Sequence, residues 1–232
     1  MTGSVVITGA AGDLGRALSS RFLAGGCTVF AADLIELEAN EGLIPVALDV
    51  TDRAAVFALA ERAGADLRLW INGAGIVAVT RVLEAGPEDW DRVLAVNLTG
   101  TFHGCAAALH VMRQHNGGRI VNIGSLSGQV GGTGVHPAYG ASKAGVHALT
   151  KTYAVEGSKY GVYCNAVAPS VIEGTMGSQF SDRQRDQLAK TNPLRRLARM
   201  DEVVDAIHYL ASDAASYTNG VVLPINGGSY LP

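Results

Sequence analysis

Short apolar runs recur along the chain, and each is followed by Gly, Asn, Asp or Ser. Several runs are apolar at successive positions, which is typical of a strand covered on both faces, as in a parallel sheet. On this pattern we predict seven strands. They are Ser4–Thr8, Thr28–Ala32, Leu43–Leu48, Leu67–Ile71, Arg119–Ile123, Val162–Val167 and Gly220–Ile225.

Stretches with helical spacing lie between these strands. Around and after Gly15, the side chains of Leu14, Leu18, Phe22 and Leu23 fall on one helix face. The other predicted helices are Thr51–Ala63, Pro87–His115, Ala138–Tyr160 and Asp201–Leu210. Because strand and helix alternate, we predict a doubly wound α/β fold, with a seven-stranded parallel sheet and helices on both faces.

No linker or repeat divides the chain, so residues 1–232 are predicted to form one domain. The polar segment 169–200 has the least regular pattern, and we expect it to be a mobile flap over a substrate.

Composition narrows the possible partners. The net charge is −3 and no cluster of Lys and Arg is present, which argues against binding to nucleic acid or to an anionic membrane surface. The three cysteines are far apart and form no CxxC motif, so we expect thiols in a reducing compartment. No targeting segment or long apolar run is visible, and the six histidines lack metal-ligand spacing. The protein is therefore expected to be cytoplasmic and to hold no metal.

A glycine-rich turn follows the first predicted strand and opens a helix. Its sequence, TGAAGDLG at 8–15, allows backbone N–H groups to approach a pyrophosphate at a helix N-terminus. Asp33 ends the second strand, 18 residues after Gly15, where a ribose-binding acid is expected. The alternatives are an ordinary glycine turn and, for Asp33, a turn or cap residue.

A tyrosine and a lysine lie four residues apart in the sequence YGASK, at Tyr139 and Lys143. On a helix these two side chains share a face. An ammonium near a phenol favours the phenolate and lowers the phenol's pKa, so that Tyr139 could exchange protons with an alcohol near neutral pH.

Nine motifs together resemble the short-chain dehydrogenase/reductase family over nearly the whole chain. They are TGAAGDLG (8–15), AD (32–33), LDVTD (48–52), NGAG (72–75), VNLTGTF (96–102), IVNIGS (120–125), YGASK (139–143), NAVAP (165–169) and LASDAASYTNGVVLPINGG (210–228). The resemblance implies a Rossmann fold, a nicotinamide cofactor that carries the hydride, and a secondary alcohol or ketone as substrate.

The resemblance also implies catalytic roles. Tyr139 would be the general acid/base, Lys143 would lower its pKa and bind the nicotinamide ribose, Ser125 would bind the carbonyl oxygen, and Asn97 would hold a water that links Lys143 to solvent. The residues implied to bind the cofactor are Gly9, Asp13, Leu14, Gly15, Asp33, Asp49, Val50, Asn72, Ala74, Gly75, Tyr139, Lys143, Pro169 and Thr175.

Some positions depart from the family pattern. Asp13 replaces the middle glycine, and Asn72-Gly73 replaces a doubled Asn, which is expected to loosen a structural hydrogen bond. Ser125 lies 14 residues before Tyr139, one more than expected, so Ser127 is a rival. Thr175, the carboxamide-binding candidate, comes one place late.

The remaining polar candidates have structural alternatives. Asn97 could be a satisfied core amide and Ser125 a turn residue. His136, three residues before Tyr139, is expected on the pocket rim, either as a loop residue or in contact with substrate.

The cofactor is expected to be NAD, because Asp33 would repel a 2′-phosphate and the glycine turn carries no basic residue. Two alternatives remain open. One is a 3-oxoacyl-(acyl carrier protein) reductase, a class that usually uses NADPH; its acidic carrier would need a basic patch such as Arg195, Arg196 and Arg199. The other is a nucleotide-binding regulatory protein without catalysis.

Apolar residues on more than one face of Pro87–His115 and Ala138–Tyr160 favour further packing of these helices. The segments concerned are 105–109 and 146–149. Relatives pair these helices in tetramers, so we expect a homotetramer, with a dimer as the second possibility.

Overall fold

A computed structural model of the chain describes residues 2–80, 82–115, 117–132, 135–174 and 181–231. Seven strands form one parallel sheet in the order β3-β2-β1-β4-β5-β6-β7. The strands are β1 Ser4–Thr8, β2 Thr28–Asp33, β3 Leu43–Ala47, β4 Leu67–Asn72, β5 Gly118–Ile123, β6 Val162–Pro169 and β7 Val222–Ile225. The predicted fold class is confirmed.

Eight α-helices accompany the sheet in the described ranges. They are α1 Asp13–Ala24, α2 Arg53–Ala63, α3 Pro87–Leu94, α4 Gly100–Met112, α5 Ser127–Val130, α6 Pro137–Ser158, α7 Asp182–Thr191 and α8 Met200–Ala211. Helices α1 and α8 cover one sheet face, whereas α2, α4 and α6 cover the other. The side chains on both faces of a strand are therefore buried. In β1, Val5 and Ile7 face one helix layer and Val6 faces the other. This explains the continuous apolar runs.

The strand order reverses between β1 and β4, which are paired in parallel with Thr8 opposite Asn72. The carboxyl ends of both strands therefore open at the same edge. A crevice at such a reversal is where doubly wound folds bind ligands.

The predicted helix Pro87–His115 is divided and ends earlier. Between α3 and α4 lies a π-helical segment, Ala95–Thr99, and α4 ends at Met112. Three residues expected to form a second apolar face of this helix, Cys105, Ala107 and Ala108, are fully buried in the domain's own core. That expectation was wrong for these residues, because they pack inside the domain.

The segment 169–200 is more regular than predicted. Its helix α7 has a capping box, in which the Ser181 hydroxyl accepts from Gln184 N–H and the Gln184 side chain accepts from Ser181 N–H. At the base of the segment, Ile172 pairs with Ala198 in a β-bridge. The Asn192 amide donates to the Asn226 carbonyl at 2.9 Å.

No helix within the described ranges is long and apolar enough to cross a membrane. Within the same ranges, no group of three or more His, Cys, Asp or Glu is arranged to hold a metal ion.

Candidate active site

The nucleotide loop, residues 9–15, packs tightly against the end of β4. Gly9 has φ +74°, and a Cβ there would lie 2.7 Å from Ala74 N. A Cβ on Gly15 would lie 2.3 Å from the Gly9 carbonyl oxygen. The Thr8 hydroxyl accepts from Gly73 N–H at 3.1 Å and Ala74 N–H at 3.2 Å. Glycine is therefore required at 9 and 15 for close backbone approach.

Helix α1 presents an N-terminus that fits a phosphate group. Its N-cap, Gly12, makes no side-chain hydrogen bond to the first turn, so no side chain of the cap occupies these N–H groups. Asp13 is in the first turn, and a Cβ on Gly174 would lie 2.8 Å from its Oδ2. The carboxylate is therefore directed to the segment after β6, while Leu14 packs against the core.

Asp33 ends β2 at the edge of the nucleotide loop. Its Oδ2 accepts from Ala11 N–H at 2.9 Å, and its Oδ1 accepts from Ile35 N–H at 3.1 Å. A carboxylate oxygen has two lone pairs, so each oxygen retains one acceptor position. The turn role considered for Asp33 is thus present, and it holds the carboxylate beside the loop.

Asp49 and Val50 lie farther along the same edge. The Thr51 N–H and hydroxyl both donate to Asp49 Oδ1, at 2.8 Å and 2.7 Å, and these bonds lower the pKa of the Asp49 carboxyl. Val50 is buried against Gly100, where a Cβ would lie 2.7 Å from Val50 Cγ2. The two residues offer a carboxylate beside an apolar surface.

Asn72 ends β4 with its side chain turned into the core, so its predicted contact with the cofactor falls to its main chain. Its Oδ1 accepts from Trp70 Nε1 at 2.8 Å, and its Nδ2 donates to Asn122 Oδ1 at 2.8 Å. The amide therefore faces α4, on the same strand face as Trp70, and only its main chain is left for a cofactor. Gly75 lies at the site, since a Cβ there would be 3.4 Å from Asn97 Oδ1 and 3.6 Å from Lys143 Nζ.

Asn97 lies in the π-helical segment and is fully buried. Its Oδ1 accepts from Ile76 N–H at 2.8 Å, while its Nδ2 donates to the Ile76 carbonyl at 2.9 Å and to Ser142 Oγ at 3.2 Å. The extra residue of a π turn changes the direction of a helical side chain and often marks a functional site. Here the satisfied amide joins the loop after β4 to α6.

The catalytic candidates Ser125, Tyr139 and Lys143 meet beside Asn97. The Ser125 side chain is near enough to the Tyr139 phenol to favour its ionised form, and Ser125 Oγ accepts from Ser127 N–H at 3.1 Å. The Ser127 hydroxyl lies near Gly132, where a Cβ would be 3.9 Å from Ser127 Oγ, so Ser125 is the serine beside Tyr139. Lys143 Nζ lies 5.9 Å from the centroid of the Tyr139 ring and donates to the Ile123 carbonyl at 2.7 Å.

The pKa of Tyr139 differs from the sequence expectation. Burial raises it, and the bond with Ser125 offsets this only in part. Burial also lowers the pKa of Lys143 to about 8. The net direction is upward because burial disfavours the charged phenolate, and lowering of the pKa by Lys143 stays a prediction.

His136 is not on an open rim. It is the buried N-cap of α6, where Nδ1 accepts from Ala138 N–H at 3.1 Å and Nε2 lies 3.3 Å from the Gly86 carbonyl oxygen. Proline is common at the first position of a helix, so Pro137 indicated a helix start in the sequence and placed His136 at the cap.

The last part of the site lies beyond β6. Pro169 ends that strand, and its carbonyl accepts from Leu126 N–H at 2.9 Å, which joins β6 to the loop carrying Ser125. Thr175 lies outside the described residues.

Two polar residues that the sequence reasoning did not single out join this arrangement. Ser142 donates to the Tyr139 carbonyl at 2.8 Å and accepts from Asn97, so it connects two candidates. His147, one helical turn after Lys143, accepts from Ser125 N–H at 3.4 Å. Tyr139, Lys143 and His147 are spaced four residues apart, which places them on one face of a helix. This spacing could have identified His147 in the sequence.

The chain is similar in sequence to known oxidoreductases. The chain matches, over residues 9–230, a family model described as enoyl-(acyl carrier protein) reductase. It is 36% identical over 236 residues to a 3-oxoacyl-(acyl-carrier-protein) reductase of Thermotoga maritima, covering 96% of each chain. It is 37% identical over 238 residues to D-threitol dehydrogenase of Mycolicibacterium smegmatis, covering 96% of this chain and 91% of the relative.

A solved structure agrees with these sequence matches. A 3-oxoacyl-(acyl-carrier-protein) reductase from Brucella melitensis superposes with a TM-score of 0.91 and 31% identity, covering 99% of this chain and 91% of that one. The fold and relatives define a Rossmann-type oxidoreductase. The chain belongs to the short-chain dehydrogenase/reductase family.

Proposed function

We propose that the protein is an NAD-dependent oxidoreductase that interconverts a secondary alcohol and a ketone. The observation that carries this proposal is the convergence of Ser125, Tyr139, Lys143 and Asn97 at the carboxyl edge of the sheet, beside a glycine loop built for a dinucleotide. A bound nicotinamide supplies the hydride acceptor or donor.

The chain's own residues handle orientation and the proton. In ketone reduction, Ser125 Oγ and the Tyr139 hydroxyl donate hydrogen bonds to the carbonyl oxygen, and Tyr139 transfers its proton to the alkoxide as the carbon receives hydride. Lys143 places positive charge near the phenolate that remains. Asn97 Oδ1 keeps one lone pair beside its bond to Ile76 N–H, and this lone pair would hold a water through which the proton is replaced. The reverse steps apply to alcohol oxidation.

The residues fit a dinucleotide at both ends. Gly9 and Gly15 leave space that a Cβ would fill, and the N-terminus of α1 favours a pyrophosphate. The free lone pairs of Asp33 suit the two hydroxyls of an unphosphorylated ribose, which is why we propose NAD and not NADP. Asp49, Val50 and Gly75 would complete the surface, with Pro169 toward the carboxamide. The role of Thr175 rests on the family resemblance alone.

Reduction of a 3-oxoacyl group on a carrier protein is the second candidate, because two of the named relatives carry that activity in their names. The proposed carrier patch is, however, largely neutralised. Arg196 forms a two-point ion pair with Glu202, with contacts of 2.6 Å and 2.7 Å, and Arg199 contacts Asp201 at 3.0 Å. An acidic carrier would meet paired charges there, so we favour a small alcohol or ketone.

We further propose a homotetramer located in the cytoplasm. Exposed apolar side chains remain on the paired helices, with Phe102 on α4 42% exposed and Val155 on α6 77% exposed. The three cysteines are buried thiols, which suits a reducing compartment. Light scattering at micromolar concentration should give four times the chain mass, and a 24.0 kDa particle would contradict the tetramer.

A substrate screen tests the function. Purified protein is mixed with NAD or NADH and a panel of polyols, hydroxy acids, small ketones and a 3-oxoacyl thioester, and turnover is read from the NADH absorbance. We expect turnover with a small alcohol or ketone that Tyr139→Phe lacks. Turnover only with the thioester would favour the second candidate, and NADH binding without turnover would favour a regulatory protein.

A further inference from the structure

His147 lies on the helix face that carries the catalytic candidates. It follows Tyr139 by eight residues and Lys143 by four, so the three side chains are aligned along α6. The residue is only 8% exposed. None of the roles argued above for the reaction uses it.

Two glycines near Ser125 leave space for the imidazole ring of His147. The ring lies against Gly124 and Gly128, which flank that serine. A Cβ on Gly124 would be 2.3 Å from His147 Nε2, and a Cβ on Gly128 would be 2.7 Å from His147 Cε1. Any larger residue at 124 or 128 would displace the ring.

One hydrogen bond joins this ring to the serine backbone. Ser125 N–H donates to His147 Nε2 at 3.4 Å. The acceptor must carry a lone pair, so the neutral ring has its proton on Nδ1. Ser125 is then held at two points, because its Oγ also accepts from Ser127 N–H at 3.1 Å.

The surroundings keep the ring neutral. Burial, with smaller contributions from Lys143 and Lys151 on α6, lowers the pKa of His147 to about 4. The segment packed on the other side, residues 124–128, has no ionisable side chain. His147 therefore remains an acceptor throughout the neutral pH range.

We propose that His147 is a positioning residue, which fixes the backbone of Ser125 so that its hydroxyl faces Tyr139. This role rests on the proposed function, because it serves the serine that binds the carbonyl oxygen. A neutral acceptor at this point restrains the serine without adding charge to the site.

The contact is tested first without activity. Two-bond ¹H–¹⁵N correlation spectra of protein labelled with ¹⁵N-histidine, assigned by comparison with His147→Gln, should show His147 neutral at pH 7 with the proton on Nδ1. A proton on Nε2, or a charged ring, would overturn the proposal. This result does not depend on turnover, so failure of the proposed function would leave it standing.

The second test compares His147→Leu, which fills the space without an acceptor, with His147→Gln, which restores one. We expect the leucine variant to lose about tenfold in kcat, with the Kd for NADH within twofold of wild type, and glutamine to recover most of the loss. Thr150→Val is the matched control, since it removes a buried α6 bond to Asn122 that does not touch Ser125. If His147→Leu retains wild-type kcat, or if glutamine gives no recovery, the positioning role is wrong.

Discussion

Replacing Asp33 by Asn should weaken discrimination between the two nicotinamide cofactors. The structure makes this substitution informative, because Asp33 is held in place by the N–H groups of Ala11 and Ile35 at 2.9 Å and 3.1 Å. Asparagine removes the negative charge and keeps one acceptor oxygen, so it can hold one of these two N–H contacts, while its NH2 group can donate to a ribose hydroxyl. Asp33→Ala removes the charge and both acceptors together.

The magnitude follows from the charge that a 2′-phosphate would meet. Two unit charges about 4 Å apart repel by about 1 kcal/mol in water and about 4 kcal/mol at the dielectric of a protein surface. Since 1.4 kcal/mol is tenfold, the wild type should prefer NAD by at least about tenfold in kcat/KM. Asp33→Asn should reduce that ratio at least about fivefold, mainly through better use of NADP.

The assay measures kcat/KM for NAD and NADP with one substrate at low and high salt. Comparison with Asp33→Ala separates the effect of charge from that of hydrogen bonding. The alanine variant should reduce the NAD/NADP ratio of kcat/KM mainly by weakening the use of NAD. Equal use of both cofactors by the wild type, or an unchanged ratio in Asp33→Asn, would show that Asp33 serves only the turn.

Three further predictions concern stability and loop geometry. Burial lowers the pKa of Lys143 from 10.5 to about 8. Below pH 8 the buried charge therefore costs about 3 kcal/mol of folding free energy, and this cost disappears as the pH rises toward about 10.4. Lys143→Met should abolish turnover but stabilise the cofactor-free protein by about 1–2 kcal/mol at pH 7, after the lost hydrogen bond to the Ile123 carbonyl is counted. Thermal unfolding at pH 7 and pH 10 checks this, and a lower Tm for the variant at pH 7 would refute it. Gly15→Ala should cost about 1–3 kcal/mol of stability and weaken NADH binding at least about tenfold, because its Cβ would meet the Gly9 carbonyl oxygen at 2.3 Å. Gly25→Ala at the far end of α1, where a Cβ would lie 3.4 Å from the Phe22 carbonyl oxygen, is the matched control, and fluorescence titration should show no such loss there. Arg195 has φ +58°, so Arg195→Gly should raise the urea midpoint by the equivalent of about 0.5–1 kcal/mol, and an unchanged or lower midpoint would show that the turn is unstrained.

The sheet could be predicted because burial of both faces leaves a strong pattern. In β1 and β4 every residue except Arg68 is buried, and apolar side chains lie on both faces of each strand, so the positions of these strands can be predicted from the sequence. Helix α7 was missed because its residues are mostly exposed and give no apolar stripe. The spacing from Ser181 to Gln184, a capping box, was the available signal.

The site was predictable as a set of residues but not as a set of contacts. The order of motifs pointed to Ser125, Tyr139 and Lys143, and the structure brings them together. The direction of the Asn72 side chain depends on strand parity and on its partner Trp70, which a motif does not contain. The raised pKa of Tyr139 depends on burial, which requires the packed fold.

The π-helical segment Ala95–Thr99 could not be predicted from the sequence either. A continuous helix over Pro87–His115 satisfies the apolar pattern, so nothing in the sequence spacing marks the extra residue before Asn97. Its direction is fixed by bonds to Ile76 and Ser142, which are distant in sequence. Such long-range polar contacts are invisible to periodicity.

The central claim is that Tyr139 is the proton donor of a nicotinamide-dependent reduction. The most direct measurement is single-turnover oxidation of NADH by an accepted ketone in the wild type and in Tyr139→Phe, with NADH affinity measured in parallel. The phenylalanine ring keeps the packing but has no proton to transfer, so we predict a rate lower by about two to four orders of magnitude with cofactor affinity within twofold. A Tyr139→Phe rate close to that of the wild type would contradict the account.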